Sequence, residues 1–97
     1  MKRTNAQSIS ELLQDFYKEN PALQQKILEI RIQRAWGEML GPMIMQSTRD
    51  IYVKNGVLYV FLKSSVLRSE LILNKERIMR SLNEYAEATV IRDIVIR

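Results

Sequence analysis

Ninety-seven residues, 46% hydrophobic and 27% charged with no low-complexity tract, predict one folded domain over residues 1–97 and exclude wholesale disorder. There is no cysteine and no histidine, which excludes a disulfide framework and a thiolate metal site and removes the commonest general base; neither an enzyme nor a metal or other cofactor is expected. Fifteen basic against eleven acidic side chains give +4 and a pI near 9.6, in the range of nucleic-acid-binding domains; with no membrane-length apolar run and no signal-peptide pattern, a cytoplasmic location is expected.

Residues 1–7 read as a flexible N-terminus. Ser8-Ile9-Ser10-Glu11 is a capping box, and Ile9, Leu12, Leu13, Phe16 and Tyr17 repeat as one stripe of a short helix ending near Glu19. Asn20-Pro21 supplies an N-cap and a proline at the first helical position, so a second helix runs from about Pro21 to Leu40, stopped by Gly41-Pro42. It carries two apolar stripes: Leu23, Ile27 and Ile30 on one side, and Leu28, Ile32, Ala35 and Met39 on another, with Trp36 at their margin. The expectation is that one stripe meets the first helix and the other the sheet. Pro42 to Thr48 fits either a helical turn or an irregular connection.

Ile51 to Lys63 is a β-hairpin with a two-residue Asn55-Gly56 loop, the sequence that a type I′ turn demands. That loop pairs Lys54 with Val57, Val53 with Leu58, Tyr52 with Tyr59 and Ile51 with Val60. Alternation then sorts the side chains into an aliphatic face (Ile51, Val53, Leu58, Val60, Leu62) and an aromatic-basic face (Tyr52, Lys54, Val57, Tyr59, Phe61, Lys63). Ser64 and Ser65 offer an N-cap for a third helix running to about Glu87, with Leu67, Leu71, Ile78, Leu82 and Tyr85 as its core stripe and Leu73 on the opposite side. Thr89 to Arg97 is β-rich and closes the chain. A helix between the second and third strands implies a right-handed crossover and a parallel pairing. The order is α-α-β-β-α-β.

The aliphatic hairpin face must be core. For the other face three readings stand. Sheet aromatics flanked by lysines can stack unpaired bases while the ammonium groups meet phosphates. The same rings can form a partner or homodimer interface, or simply a half-exposed cross-strand cluster. Arg31 and Arg34 on the second helix, Arg49 before the hairpin, and Lys63 and Arg68 around the start of the third helix are candidates for a phosphate-binding stripe. They serve equally as a solvated surface, with Glu29 and Glu38 nearby. Trp36 reads as core, Gly41 as a helix C-cap and Thr48 as a turn or cap former. No pair of carboxylates converges, and no phosphate-cradling glycine loop or Walker-type lysine is present, so nucleotide hydrolysis is not expected.

Trp36 and Gly41 lead to Thr48 in WGEMLGPMIMQST; KNGVLYVFLKSS follows, with Gly56 at its turn, then VLRSEL with Glu70 and Leu71, and finally the β-rich close. Over roughly residues 8–97 this series resembles the DciA-type family. There the pattern is close to W-x-x-[IV]-[IV]-G…A-x-H-T, a D/N-G hairpin, S-x-x-W-x-x-E-L and a closing strand. The resemblance implies a single KH-like α+β domain, with a small three-stranded mixed sheet and helices packed on one face. It also implies a bacterial DNA-replication accessory protein, a helicase loader whose partners are the replicative helicase and DNA. Trp36, Gly41, Thr48, Gly56, Glu70 and Leu71 are then family-motif residues with structural roles. This sequence departs from the pattern with Ser47 where many members have histidine and Leu67 where many have tryptophan, and nothing in it corresponds to the extension that longer members carry past the closing strand. It also lacks the G-x-x-G loop by which KH domains grip nucleic acid; its glycines are Gly37, Gly41 and Gly56. The expected function is binding of single-stranded or forked DNA, of the helicase, or of both. The alternative is an interaction or homodimerisation module without nucleic acid.

Overall fold

The computed structural model describes residue 12, residues 14–16 and residues 18–97. Ser8 to Glu11, Leu13, Tyr17 and the N-terminal residues 1–7 lie outside the described residues, and so does the expected capping box. The described residues between 12 and 19 are helical, and Asn20 leaves the helix. The elements that follow are α1 (Pro21–Leu40), α2 (Pro42–Ser47), β1 (Thr48–Lys54), β2 (Val57–Leu62), α3 (Ser65–Leu73), α4 (Lys75–Ala86) and β3 (Asp93–Ile96). The class is α+β in the expected order, with PMIMQS resolved as a short helix.

Pro21 opens α1 as its sequence requires, but Asn20 does not cap it. The Asn20 amide turns back and donates to the Phe16 carbonyl at 2.8 Å, serving the end of the preceding helix instead. Of the two α1 stripes only one is core: Ile32, Ala35 and Trp36 are fully buried, while Leu23 and Ile30 remain exposed. The core gathers on the Ile32, Ala35 and Trp36 side of α1, which leaves Leu23 and Ile30 to solvent.

Gly41 ends α1 and begins α2. Its N–H donates to the Gly37 carbonyl at 3.0 Å, and its own carbonyl accepts from Met45 at 3.1 Å. Its φ of +94° and ψ of 170° fall where essentially only glycine rests. No heavy atom lies within 4 Å of where a Cβ would stand, so backbone strain alone sets the cost of substitution. Gly41→Ala is expected to lower stability by about 1–3 kcal/mol, read as a lower urea midpoint with an unchanged slope.

The hairpin has the register its turn dictates: Ile51 with Val60, Tyr52 with Tyr59, Val53 with Leu58 and Lys54 with Val57. Asn55 and Gly56 both have positive φ, +53° and +77°. A bulge at Arg49 interrupts the ladder, so that Thr48 faces Leu62 while Asp50 faces Phe61. The extra residue reverses the alternation and turns Thr48 toward the core face. β2 is central, antiparallel to β1 and parallel to β3, with Val57 beside Asp93 and Tyr59 beside Val95.

The long third helix expected from Ser65 to Glu87 is two helices. Ser64 caps the first as anticipated, accepting from Leu67 N–H at 3.2 Å. The break falls at Asn74, whose side-chain amide donates to Glu70 O at 2.9 Å and whose backbone leaves helical geometry. An asparagine amide competes for the carbonyls that a continuous helix would use. The break also changes which residues face inward. Ala86 is buried, and Tyr85, expected in the core, is 44% exposed with its hydroxyl donating to the Glu38 carboxylate of α1. β3 is shorter than expected because Asn83 satisfies the backbone ahead of it. The Asn83 side chain accepts from Val90 and Ile91 N–H and donates to Ile91 O, at 2.9, 3.1 and 2.8 Å.

Leu58, Val60, Leu62, Ile94 and Ile96 supply the sheet side of one core, and Ile32, Trp36, Leu71, Ile78 and Leu82 the helical side. No residue of the aromatic-basic face belongs to it. Among the described residues the helices therefore pack on one face of the sheet and leave the other open.

Candidate nucleic-acid interface

Three rings form a ladder on the open face. Tyr52 stacks on its cross-strand partner Tyr59 with centroids 5.0 Å apart and planes 20° apart. It also stacks on Phe61, at 6.1 Å and 26°. These offsets are those of favourable aromatic pairs. Tyr52 is 38% exposed, and Tyr59 and Phe61 are half-buried. Strand register sets out the rest of the surface. Lys54 and Val57 lie beside Asp93, the two tyrosines beside Val95, and Asp50 and Phe61 at the far end. Lys63, exposed, continues the alternation beyond Phe61, its N–H donating to Ser47 O.

The structure adds residues to this face that local sequence reasoning did not find. Arg97 pairs with β2 through Leu62 N–H and Val60 O, and alternation from Val95 sets it on the open face next to Phe61. Arg92 donates its N–H to Gly56 O, and its guanidinium lies over the turn, where a Cβ on Gly56 would collide with it. Two carboxylates also belong to the surface. Asp50 accepts from Ile51 N–H at 2.9 Å. Asp93 is held below the usual carboxylate range by its hydrogen bond to Lys75, 3.1 Å away, helped by the Ile94 N–H. Only the register of β3 could have located Arg97 and Asp93, and that register is a long-range property.

The expected phosphate-binding stripe is divided among separate anchors. Arg68 is part-buried, and its Nη2 donates to Leu62 O at the end of β2 at 3.3 Å. Arg31 donates to Ala86 O at the C-terminus of α4 at 3.4 Å, a favourable position for a cation. Both guanidiniums are thus tied to backbone. Arg34 and Arg49 are exposed, Arg34 on α1 and Arg49 in the bulge of β1 near Lys63. The cations gathered at the ladder are Lys54 at one end and Lys63, Arg97 and Arg49 at the other.

The motif residues form a separate structural device. Trp36, fully buried, donates its indole N–H to Thr48 Oγ1 at 3.0 Å, and that hydroxyl donates onward to Ile44 O at 2.7 Å. One tryptophan and one threonine thereby lock α1, α2 and the start of β1 together, while Gly41 makes the corner between the two helices. Leu71 is buried and Glu70 exposed.

A family model described as "Dna[CI] antecedent, DciA" matches residues 8–96. The chain belongs to the DciA family. Membership carries a replication-associated, helicase-loading role, in a family of loader and accessory proteins not known for enzymatic activity. A search of curated proteins gives no match. Among the described residues no helix is long and apolar enough to cross a membrane, and no three His, Cys, Asp or Glu side chains are grouped to hold a metal ion.

Proposed function

We propose that this DciA-family protein is a non-enzymatic, cytoplasmic accessory of bacterial DNA replication, acting as one KH-like domain that binds DNA and the replicative helicase. The DNA is single-stranded or forked and lies across the open face of the sheet. The observation that carries this is the part-exposed ladder of Tyr52, Tyr59 and Phe61 with cations at both of its ends. Bases stack on the rings, while Lys54 at one end and Lys63 and Arg97 at the other meet the phosphates. A KH-like domain without a G-x-x-G loop needs another grip, and a stacking platform supplies one that tolerates any base.

The test is fluorescence anisotropy of labelled single-stranded, duplex and forked DNA at several salt concentrations. Saturable binding that favours single strands or forks is expected, with affinity falling linearly on a log–log salt plot at a slope of about −0.7 per phosphate neutralised on a single strand. Reversing Lys54 and Lys63 to glutamate should flatten that slope; an unaltered slope places the phosphates elsewhere. A second reading follows from the apolar middle of the face, where Val57 and Val95 flank the rings. There a homodimer or other protein partner would cover the ladder, and mass would rise with concentration in the absence of DNA.

A further inference from the structure

β1 is an outer strand of the sheet, and among the described residues it pairs with β2 alone. Lys54 and Val57 close the two-residue turn as a hydrogen-bonded pair, and bonded pairs then alternate back through Tyr52 and Tyr59. Ile51 and Val53 therefore aim their N–H and C=O groups away from β2. The Ile51 N–H accordingly donates to the carboxylate of its neighbour Asp50. The core is also unfinished along this edge. Ile51 and Val53 are half-buried on the core face, whereas Leu58, Val60, Ile94 and Ile96 of the other two strands are buried.

We propose that β1 pairs antiparallel with β1 of a second copy, about a two-fold axis at Tyr52, joining two sheets and two aromatic ladders edge to edge. The strand itself sets this register. Centred on Tyr52, Ile51 meets the partner's Val53 and Val53 meets the partner's Ile51, so the outward groups of both residues find bonds and the aliphatic faces stay together. On the open face Asp50 then meets the partner's Lys54, and Lys54 the partner's Asp50. Asp50 exchanges its bond to the Ile51 N–H for that ammonium, while the N–H gains the carbonyl of the partner's Val53. Centring on Ile51 would run Val53 into the partner's Arg49 bulge, and centring on Val53 would run Ile51 into the partner's Asn55 turn. Neither of those registers sets opposite charges together. The other outer strand, β3, is disfavoured: it has four residues, its Ile94 and Ile96 are already buried, and its Asp93 is held by Lys75. Tyr52, the most exposed of the three rings at 38%, lies against the partner's Tyr52 at the junction. The role of the joined ladder rests on the reading above that single-stranded DNA crosses the open face, a platform this dimer lengthens without covering.

The experiment follows mass by sedimentation velocity in the absence of DNA, where wild type should dimerise below about 100 μM. The chain has no cysteine of its own. Tyr52→Cys should therefore close a covalent dimer on mild oxidation, because Cα atoms of a non-bonded pair stand about 4.5 Å apart, within disulfide reach. Tyr59→Cys and Val95→Cys should not. Asp50→Lys and Lys54→Asp should each weaken self-association about tenfold or more, and the two variants mixed should associate as tightly as wild type. That rescue separates lost pairing from lost folding. Val53→Pro removes an outward N–H and should bind a long single strand about tenfold or more weakly than wild type, with equal affinity for a strand that reaches one ladder only. A chain still monomeric at about 100 μM, or covalent dimers from Tyr59→Cys or Val95→Cys instead of Tyr52→Cys, overturns the β1 pairing and spares the DNA reading. A β1 dimer that binds no single strand overturns the DNA reading, and the joined ladder with it, and spares the pairing.

Discussion

Replacing Trp36 with alanine is expected to cost about 3–5 kcal/mol, a large part of the roughly 5–15 kcal/mol that holds a domain together. Three links of the structure depend on this side chain. Its rings are fully buried against the sheet. Its N–H is satisfied by Thr48, and Thr48 is in place only because the Arg49 bulge turns it inward. Thr48→Val keeps the shape but strands the indole donor and removes the bond to Ile44 O. That should cost about 1–3 kcal/mol, the penalty of a buried donor left unmade. Urea unfolding followed by circular dichroism gives both values. In the Thr48 variant the fluorescence of Trp36, the only tryptophan in the chain, reports the same transition. A loss under about 1 kcal/mol for Trp36→Ala would mean that the lock holds nothing together.

The second large effect is on binding. Tyr52→Ala combined with Tyr59→Ala should weaken single-stranded DNA binding at least about tenfold, because each stacked base is worth roughly 1–3 kcal/mol. The same rings contribute only about 0.2–1 kcal/mol per cross-strand pair to the hairpin. The variant should therefore stay folded while losing its ligand, and that separation is what the experiment reads. Tyr52 stacks on both other rings, so Tyr52→Ala alone should exceed Phe61→Ala. Unchanged affinity in a folded double variant removes the platform and leaves the ladder to a protein interface.

Both predictions draw on features that differ in how far they can be read from sequence. The hairpin register and its two faces follow from Asn55-Gly56 and strict alternation, and they match the structure pair for pair. A two-residue turn leaves the ladder almost no freedom, so a local signal suffices there. The split at Asn74 was less legible, since helical periodicity continues across it while the side-chain amide that breaks it carries no periodic signature. The basic residues were visible as a set, but not their commitments. Whether Arg31 and Arg68 are free for phosphate depends on which carbonyl lies within reach, and Ala86 and Leu62 are brought there by packing.

The α+β order, the hairpin with its aromatic face, the burial of Trp36 and the likeness to the DciA family were all legible in the chain itself. All of these are set by spacings within a few residues or by side-chain type. The packed fold was needed to bring Thr48 to Trp36, to set Arg97 beside Phe61 and to bring backbone carbonyls within reach of Arg31 and Arg68. Each of those depends on elements far apart in the chain meeting in one register, and hydrophobic burial fixes that register only once the whole core has closed.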